Sequence, residues 1–337
     1  MTARIPGITC LPVTGIGEVR PGDDLAALLG RAAALSDGDV LVVTSKVVSK
    51  AEGRVTTMER SAALQKETDR VVATRGGTSI VRTHHGLVMA GAGIDASNTE
   101  PGTFVLLPVD PDASARALRE RIAGDGGPNV AVLVTDTSGR AWRNGQTDIA
   151  VGAAGLDVLH DYAGRTDGYG NVLAVTAPAV ADEIAGAADL VKGKLGRCPA
   201  AVVRGLERLV LGRGEHGPGA AALVRDEAGD MFGHGAREAV LNAVLGEGRR
   251  GFGAPATAET LADWLRRVDG APVVDVVSEN RVEIALPDGD DPAAQRGAGN
   301  LEARLVSLAF ALGWERSAPQ PRPAEVTATL RFRPATP

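Results

Sequence analysis

Aromatic residues and cysteines are scarce in this chain. Phe, Trp and Tyr make up only 3% of its 337 residues, so a core must be built mainly from Ala, Val and Leu. Only Cys10 and Cys198 occur, which is too few for a secreted disulfide framework, and no Cys-x-x-Cys pair points to zinc. These absences argue against disulfide-stapled proteins and cysteine-based zinc modules.

Charge of one sign and long apolar runs are also missing. The net charge is −6 with acidic and basic residues interspersed, which argues against a basic stripe for nucleic acid. No apolar run approaches the roughly 18 residues of a membrane span. The first residues lack the basic-then-apolar order of a signal peptide. We therefore expect a cytoplasmic protein that binds neither nucleic acid nor a membrane.

The pattern that is present alternates apolar strands with amphipathic helices, which is typical of a mixed α/β protein. The length allows one large or two modest domains, and a shift in composition predicts a boundary near residue 246. The expected elements include strands at 40–48, 129–136 and 172–176, a helix at 58–73, and a polar connection at 288–299.

Two carboxylates follow apolar segments where strands are expected to end. Asp136 and Thr137 come after the run Val130–Val134, and Asp95 follows the small-residue run AGAGI, with Asn98 three residues later. Ligands gather beyond the carboxyl ends of strands in such sheets, and carboxylate and hydroxyl oxygens suit a hard cation such as Mg²⁺. Ordinary polar turns would show the same residues, so both interpretations remain open from the pattern alone.

Standard phosphate-binding loops are absent from the sequence. It contains neither G-x-x-x-x-G-K-[ST] nor a G-x-G-x-x-G between a strand and a helix. The remaining candidates are the glycine turn Gly15–Glu18 and the side chains of Ser45, Lys46 and Lys50. Backbone amides and ammonium groups can bind phosphate, although single lysines are usually only solvated.

A third polar segment follows Asp136. The stretch Gly139–Asp148 combines several hydrogen-bond donors with Trp142, a residue that solvated loops rarely carry. This composition favours a loop that faces a ligand. The five histidines are adjacent or isolated rather than spaced for a metal, so we expect them to be structural or exposed.

Taken in order, the segments resemble a known family. They are LPVTGIGEVRPGDDL, DGDVLVVTSKVVSKAEGR, GIDASN, LLPVDPDASA, VTDTSGRAWRNGQTDIAVGAAGL, YAGRTDGYGN, VADEIAGAADLVKGKL and AVVRG, over roughly residues 5–245. Together they closely resemble the coenzyme F420-0:L-glutamate ligases, and most of all the ligase part of the actinobacterial bifunctional type. The resemblance implies an α+β fold of the F420-0 glutamate ligase type, in a homodimer with extensive intertwining.

The resemblance also implies a reaction and its cofactors. GTP would be a co-substrate and Mg²⁺ or Mn²⁺ the metal, with K⁺ as a further candidate ion. The carboxylate of F420-0 would be activated as an acyl phosphate and attacked by the amine of L-glutamate. Matched motif by motif, the implied metal ligands are Asp95, Asp136 and Thr137. The implied nucleotide contacts are Ile16, Gly17, Glu18, Val19, Ser45, Lys50 and Asn98.

The chain departs from the bifunctional relatives after residue 245. Those relatives continue with a nitroreductase-like flavin domain, whereas only 92 residues follow here (337 − 245). We therefore expect residues 1–245 to form the ligase domain and 246–337 a short extension, a remnant of the nitroreductase-like domain, without FMN. Two alternatives stay open: an amide ligase for a different acid acceptor, and a non-catalytic homologue that binds the coenzyme or nucleotide.

Overall fold

The computed structural model of the chain describes residues 7–270, 273–286, 291–318 and 329–335. The chain divides into two compact units between Val224 and Arg225, earlier than the boundary near 246 that composition indicates. The elements of the first unit are β1 (Thr9–Val13), α1 (Leu25–Ala32), β2 (Val40–Thr44), α2 (Ser45–Ala51), β3 (Val55–Thr56), α3 (Arg60–Glu67), β4 (Thr68–Arg75), β5 (Thr78–Thr83), β6 (Val88–Ala90), β7 (Phe104–Val105), α4 (Pro111–Ala123), β8 (Ala131–Arg140), β9 (Arg143–Ala154), α5 (Val180–Lys192) and β10 (Ala200–Arg204).

A five-stranded sheet organises the first unit, with the strand order β1-β10-β2-β8-β9. Only the central β2–β8 pair is parallel, and the neighbouring pairs are antiparallel. Alternate residues of β2 pack into two separate core clusters: Leu41 and Val43 into one, Val40 and Val42 into the other. Because both faces of the strand are covered, its sequence is continuously apolar rather than alternating.

Helices cover the two faces of this sheet. Residues of α1 and α4, such as Leu29 and Ala115, belong to one core cluster, and α5 contributes Ile184 and Ala185 to the other. Small sheets complete the unit, with β4-β5-β6 and β3-β7 as their strand orders. Their core is a third cluster that includes Val81 of β5 with Ala92 and Ile94 from the segment between β6 and β7.

The second unit has its own core and its own sheet. Its elements are α6 (Ala236–Leu245), α7 (Ala258–Arg266), β11 (Val274–Ser278), β12 (Arg281–Ala285), α8 (Pro292–Ala311), β13 (Trp314–Arg316) and β14 (Thr329–Pro334). The four strands are antiparallel in the order β11-β12-β14-β13. Side chains such as Ile284 and Phe332 pack with Leu261 of α7 and Leu305 of α8 in one cluster.

The mixed α+β class is confirmed, and several local predictions are wrong. The strand expected at 40–48 ends at Thr44, where α2 begins. The helix expected at 58–73 covers only Arg60–Glu67, because the following residues pair as β4 with β5. Residues 172–176 form no strand beyond a single bridge between Thr166 and Val172.

The polar connection expected at 288–299 is also corrected. Residues 292–299 begin the long helix α8, which Asp291 caps through hydrogen bonds to two backbone amides, whereas 288–290 lie outside the described residues. Of the helices described, none is both long enough and apolar enough to cross a membrane. The intertwined homodimer stays a prediction.

Candidate functional site

The site lies where the parallel strands β2 and β8 run side by side. Thr44 at the end of β2 pairs with Thr135 of β8, so the next residues, Ser45 and Asp136, are neighbours. The Ser45 hydroxyl donates a hydrogen bond of 2.9 Å to Asp136 Oδ1. The expected strand end at Asp136 is wrong, because β8 continues to Arg140 as one arm of a hairpin. The proximity of the two chain segments nevertheless follows from parallel pairing.

Asp136 is partly buried and has little to balance its charge. Burial raises the pKa of its carboxyl to about 6, the Ser45 hydrogen bond opposes the shift, and the negative charges of Asp148 and Asp95 add to it. A nearby cation would stabilise the ionised form of this carboxylate. The ammonium group of Lys46 lowers its pKa.

Asp95 lies on the loop before β7, and Lys46 of α2 lies against it. Lys46 Nζ is 2.5 Å from Asp95 Oδ2 and donates to Ser97 Oγ at 2.6 Å. Ser97 also donates to the Asp95 carboxylate through its backbone amide and its hydroxyl. Burial alone would raise the pKa of Asp95, but the hydrogen bonds from Lys46 and Ser97, together with the positive charge of Lys46, hold the pKa below its usual range. Lys46 and Ser97 therefore favour the ionised form of Asp95.

Lys50 joins three segments of the site. Its buried ammonium group contacts the Glu18 carboxylate and donates to the carbonyl oxygen of Asn98 at 2.7 Å. Asn98 adopts φ 53°, in the left-handed region that Asn tolerates better than most residues. The glycine turn, helix α2 and the Asp95 loop thus meet at one lysine.

The glycine turn exposes its main chain at Gly15 and Gly17, whereas two of its side chains are buried. Ile16 and Val19 are buried in the core cluster beneath it, with 6% and 3% exposure. Gly15 and Gly17 adopt φ 81° and 75°, and a Cβ at either position would meet open space. Any nucleotide contact made by Ile16 or Val19 must therefore come from the main chain, as at other glycine-rich anion sites.

Thr137 belongs to a polar network that sequence patterns did not reveal. Its hydroxyl donates to Asp148 Oδ1 at 2.9 Å and accepts from Lys194 Nζ at 2.6 Å. Asp148 in turn contacts Lys192 Nζ at 2.6 Å. Lysines are common at the carboxyl end of a helix because they interact favourably with its dipole. The segment VKGKL therefore did not indicate that its lysines contact Asp148 and Thr137.

The segment Gly139–Asp148 is not a loop as expected, and its facing a ligand stays a prediction. These residues make the tip and second strand of the β8–β9 hairpin, and Arg140 Nη2 donates to the carbonyl of Asn144. Trp142 is 89% exposed at the tip, where it adopts φ 62°. Within this segment, Asp148 accepts the hydrogen bond from Thr137.

The candidate metal ligands do not all share one face of the sheet: Asp136 is opposite Ile149, which packs against the first core cluster, whereas Thr137 is opposite Asp148, which pairs with Lys192 of α5. Asp95 and Asp136 offer carboxylates and Thr137 a hydroxyl, the ligand types that Mg²⁺ and Mn²⁺ prefer. Two of the three already contact a positive charge, Asp95 from Lys46 and Thr137 from Lys194. Within the described ranges, no three His, Cys, Asp or Glu side chains group as metal ligands, so the assignment of these oxygens to a metal stays a prediction.

Comparison with known proteins identifies the family. A family model described as F420-0:Gamma-glutamyl ligase matches residues 15–67 and 60–205, which span more than half of the chain and lie within the first unit. The coenzyme F420:L-glutamate ligase of Archaeoglobus fulgidus is 42% identical over 219 residues, covering 59% of this chain and 88% of the relative.

Two further relatives carry the same name. The protein of Methanopyrus kandleri is 39% identical over 249 residues, which cover 68% of this chain and 98% of the relative. That of Haloarcula marismortui is 39% identical over 252 residues, covering 67% and 96%. With nearly whole relatives aligned at this identity, the chain belongs to the F420-0:gamma-glutamyl ligase family and is a ligase.

Proposed function

We propose that this protein ligates L-glutamate to coenzyme F420-0, with GTP as phosphoryl donor and Mg²⁺ or Mn²⁺ as the metal. The names of its relatives support the acceptor and the amino acid. Three contacts support the chemistry: Ser45 with Asp136, Lys46 with Asp95, and Lys50 with the carbonyl of Asn98.

One observation carries the proposal: segments far apart in sequence meet at a single cluster. Ser45 reaches Asp136 across 91 residues, and Lys50 reaches the carbonyl of Asn98 across 48. Lys46 and Lys50 of α2 lie among the carboxylates of Glu18, Asp95 and Asp136, which is the combination of charges that a site for phosphate and a cation requires.

The residues divide into two groups by their chemistry. Lys46 and Lys50 supply ammonium groups for a polyphosphate, and the turn at Gly15 and Gly17 supplies an open stretch of backbone. The carboxylates of Asp95 and Asp136, with the hydroxyl of Thr137, would hold the metal. A divalent metal there would neutralise phosphate oxygens and so favour phosphoryl transfer.

The reaction proceeds in two steps. A carboxylate oxygen of F420-0 attacks the terminal phosphorus of GTP, which forms an acyl phosphate and releases GDP. The amine nitrogen of L-glutamate then attacks the acyl carbon, and inorganic phosphate leaves as the amide forms and the nitrogen loses a proton. Repetition with further glutamate gives a γ-linked tail. Binding the reactants close together supplies much of the rate in such a sequence.

Mass spectrometry of the reaction products tests the proposal. Purified protein with GTP, Mn²⁺ or Mg²⁺, K⁺, F420-0 and L-glutamate should yield species heavier by whole glutamyl units. Omitting the nucleotide, or the metal with a chelator present, should abolish them. No product under varied nucleotide and metal conditions would contradict the proposal, and amide formation only with another acid would favour a different acceptor.

A parallel reaction tests the second unit. Both ranges matched by the family model lie before Val224, so we expect a chain ending there to retain ligation. If that shortened chain folds but makes no product, residues 225–337 contribute to the reaction rather than forming an accessory extension.

We also propose a homodimer in the cytoplasm. Several apolar side chains of the first unit are between 87% and 97% exposed, which a second copy would cover: Tyr169, Val175, Leu190 and Leu195, with Trp142 in the same range. Light scattering of the purified protein should give the mass of two chains, and the mass of one chain would contradict the dimer.

A further inference from the structure

An exposed apolar stripe runs along helix α6 of the second unit. It consists of four aliphatic side chains, each between 61% and 68% exposed, which we call the α6 stripe: Val240, Leu241, Val244 and Leu245. Residues four positions apart lie on the same face of a helix, so these side chains are neighbours. The opposite face is partly covered, since its residues are half-buried: Ala239, Asn242 and Ala243.

The apolar surface is large enough for a protein partner. The segment directly before α6 adds Met231, which is 89% exposed, and Phe232, which is 60% exposed. Exposed apolar patches larger than a few hundred Å² usually mark interaction sites. Covering these side chains together with the α6 stripe would bury on the order of several hundred Å² per chain, and a stable interface buries about 800 Å² of each partner.

The charge of the second unit argues against a lipid surface as the partner. Helices that lie on membranes carry Lys and Arg along their polar face, and anionic headgroups attract those residues. Residues 225–337 contain no lysine, and their acidic residues outnumber their arginines. The polar face of α6 therefore lacks the basic residues that membrane binding requires.

Two opposite charges lie at the ends of the α6 stripe. Arg237 is in the first turn of α6 and Glu247 follows its last turn, and both are exposed. Among the described residues, neither side chain has an ion-pair or hydrogen-bond partner. The two cannot pair with each other, because ten positions along a helix correspond to about 15 Å.

These charges complement each other when two copies of the helix pair antiparallel. Asn242 is midway between Arg237 and Glu247 in the sequence. If the midpoints of two antiparallel helices are level, Arg237 of each chain is level with Glu247 of the other, and Val240 with Val244. A contact of this kind is two-fold symmetric, since the same surface is used by both chains. Charge pairs beside an apolar seam are a common means of selecting partner and direction.

We propose that α6 is a self-association surface, on which two copies of this chain pair antiparallel through the α6 stripe with Arg237 of each chain against Glu247 of the other. This inference goes beyond the proposed function and uses residues outside the ranges that the family model matches. The exposed side chains cited above for the homodimer belong to the first unit, so the two proposals stand on different residues.

Zero-length cross-linking of the full-length protein tests the pairing. Arg237→Lys keeps the positive charge and supplies an amine, which carbodiimide joins to a carboxylate in direct contact with it. The second unit has no other lysine. We expect a covalent product of twice the chain mass, in which mass spectrometry finds position 237 joined to Glu247. The matched control is Arg237→Gln, which has no amine and should give no such peptide pair.

A second set of variants tests the apolar stripe in the Arg237→Lys background. Leu241→Glu with Val244→Glu should lower the yield of the joined peptides at least about tenfold, because the pairing would bury two charges. Both positions are exposed, so the monomer should stay folded, which circular dichroism checks. The control is Val277→Glu on β11, where the side chain is 52% exposed, and it should leave the yield unchanged.

Each outcome decides the proposal without reference to catalysis. Absence of the joined peptides over a range of protein concentrations would overturn the pairing of α6, whatever mass light scattering gives for the whole protein. An undiminished yield in the variant with Leu241→Glu and Val244→Glu would overturn the role of the α6 stripe. Binding to phosphatidylserine vesicles without joined peptides would assign the stripe to a lipid surface instead. Loss of ligation would affect none of these measurements.

Discussion

The two ends of strands β2 and β8 carry polar residues under opposite conditions. At the end where the strands begin, Asp39 is almost fully buried and receives two hydrogen bonds from Arg204, at 2.8 Å and 2.7 Å. At the other end, Asp136 receives one hydrogen bond from Ser45 and lies near two further carboxylates. We call these the anchored end and the site end.

Arg119 of α4 shows how completely the anchored end is satisfied. Its buried guanidinium donates to the carbonyl of Val130 at 2.9 Å, to the side chain of Asn129, and to three carbonyls of the segment 211–215. Every nitrogen of the group has an acceptor. Such a network stabilises the fold and leaves no capacity for a ligand.

One sheet therefore carries a fully hydrogen-bonded carboxylate at one end of its central strands and a poorly compensated carboxylate at the other. Local interactions are complete at the anchored end, whereas the site end carries carboxylates whose charges raise the pKa of Asp136. Functional sites commonly violate the rules that the rest of a fold obeys. Substitutions at the two ends should therefore change different measurements.

The largest expected effect is on turnover at the site end. Asp136→Ala should lower kcat by at least about 10²-fold, the scale for removing one preorganised electrostatic contact. The side chain contributes little to the core, so the midpoint of thermal unfolding should not fall. Product formation measured by mass spectrometry gives the rate. Normal turnover by this variant would show that Asp136 is not a metal ligand.

The anchored end should give the converse result. Arg119→Met would leave several buried acceptors without a donor, and we expect the free energy of unfolding to fall by about 3 kcal/mol. Urea unfolding measures the loss. The kcat and KM of the folded fraction should stay within about twofold, since no contact of Arg119 reaches the site. A large fall in kcat with unchanged stability would break the distinction between the two ends.

The sequence predicts the class of the fold but not the ends of its elements. Ser45 lies inside the strand expected at 40–48 and Asp136 at the end of the strand expected at 129–136, and parallel pairing of β2 with β8 makes the two residues neighbours. The end of β8 was wrong because its length depends on pairing with β9, a long-range contact that a local pattern does not contain. The same reason converts residues 68–75 from expected helix into β4.

The burial of Asp148 could not be predicted from sequence patterns. A lone Asp in a polar segment predicts a solvated turn, and its burial depends on Lys192, 44 residues later. Pairings over that distance become visible only when the sheet and helix are in place. The burial of Ile16 and Val19 was hidden for the same reason, since the glycines around them suggested an exposed turn.

A smaller effect at the site end concerns the nucleotide. Lys50→Met keeps the length of the side chain but removes the ammonium group that contacts Glu18 and the Asn98 carbonyl. We expect the KM for GTP to rise about tenfold, equivalent to about 1.4 kcal/mol, with a smaller change in kcat. The control is Lys66→Met at an exposed position of α3. An unchanged KM in Lys50→Met would remove Lys50 from the nucleotide site.

The smallest effect is a gain of stability at the site end. Burial and neighbouring charge raise the pKa of Asp136 from 3.8 to about 6, so the folded state keeps its proton at a pH where the unfolded chain has lost it. The resulting stabilisation is complete below about pH 4 and is lost as the pH rises through about 6. Asp136→Asn, which never ionises, should escape that loss.

Unfolding in urea with a chelator present tests this sign. Above pH 6.5, Asp136→Asn should be more stable than the unsubstituted chain by about 1 kcal/mol, a value reduced from the full shift because the carboxyl is only partly buried. At pH 4 the advantage should nearly vanish. Added Mn²⁺ should reverse the order at neutral pH, because it binds the ionised carboxylate and stabilises only the unsubstituted protein. If Asp136→Asn is the less stable of the two without metal at neutral pH, Asp136 belongs with the anchored carboxylates, and the contrast between the two ends of the sheet fails at its central residue.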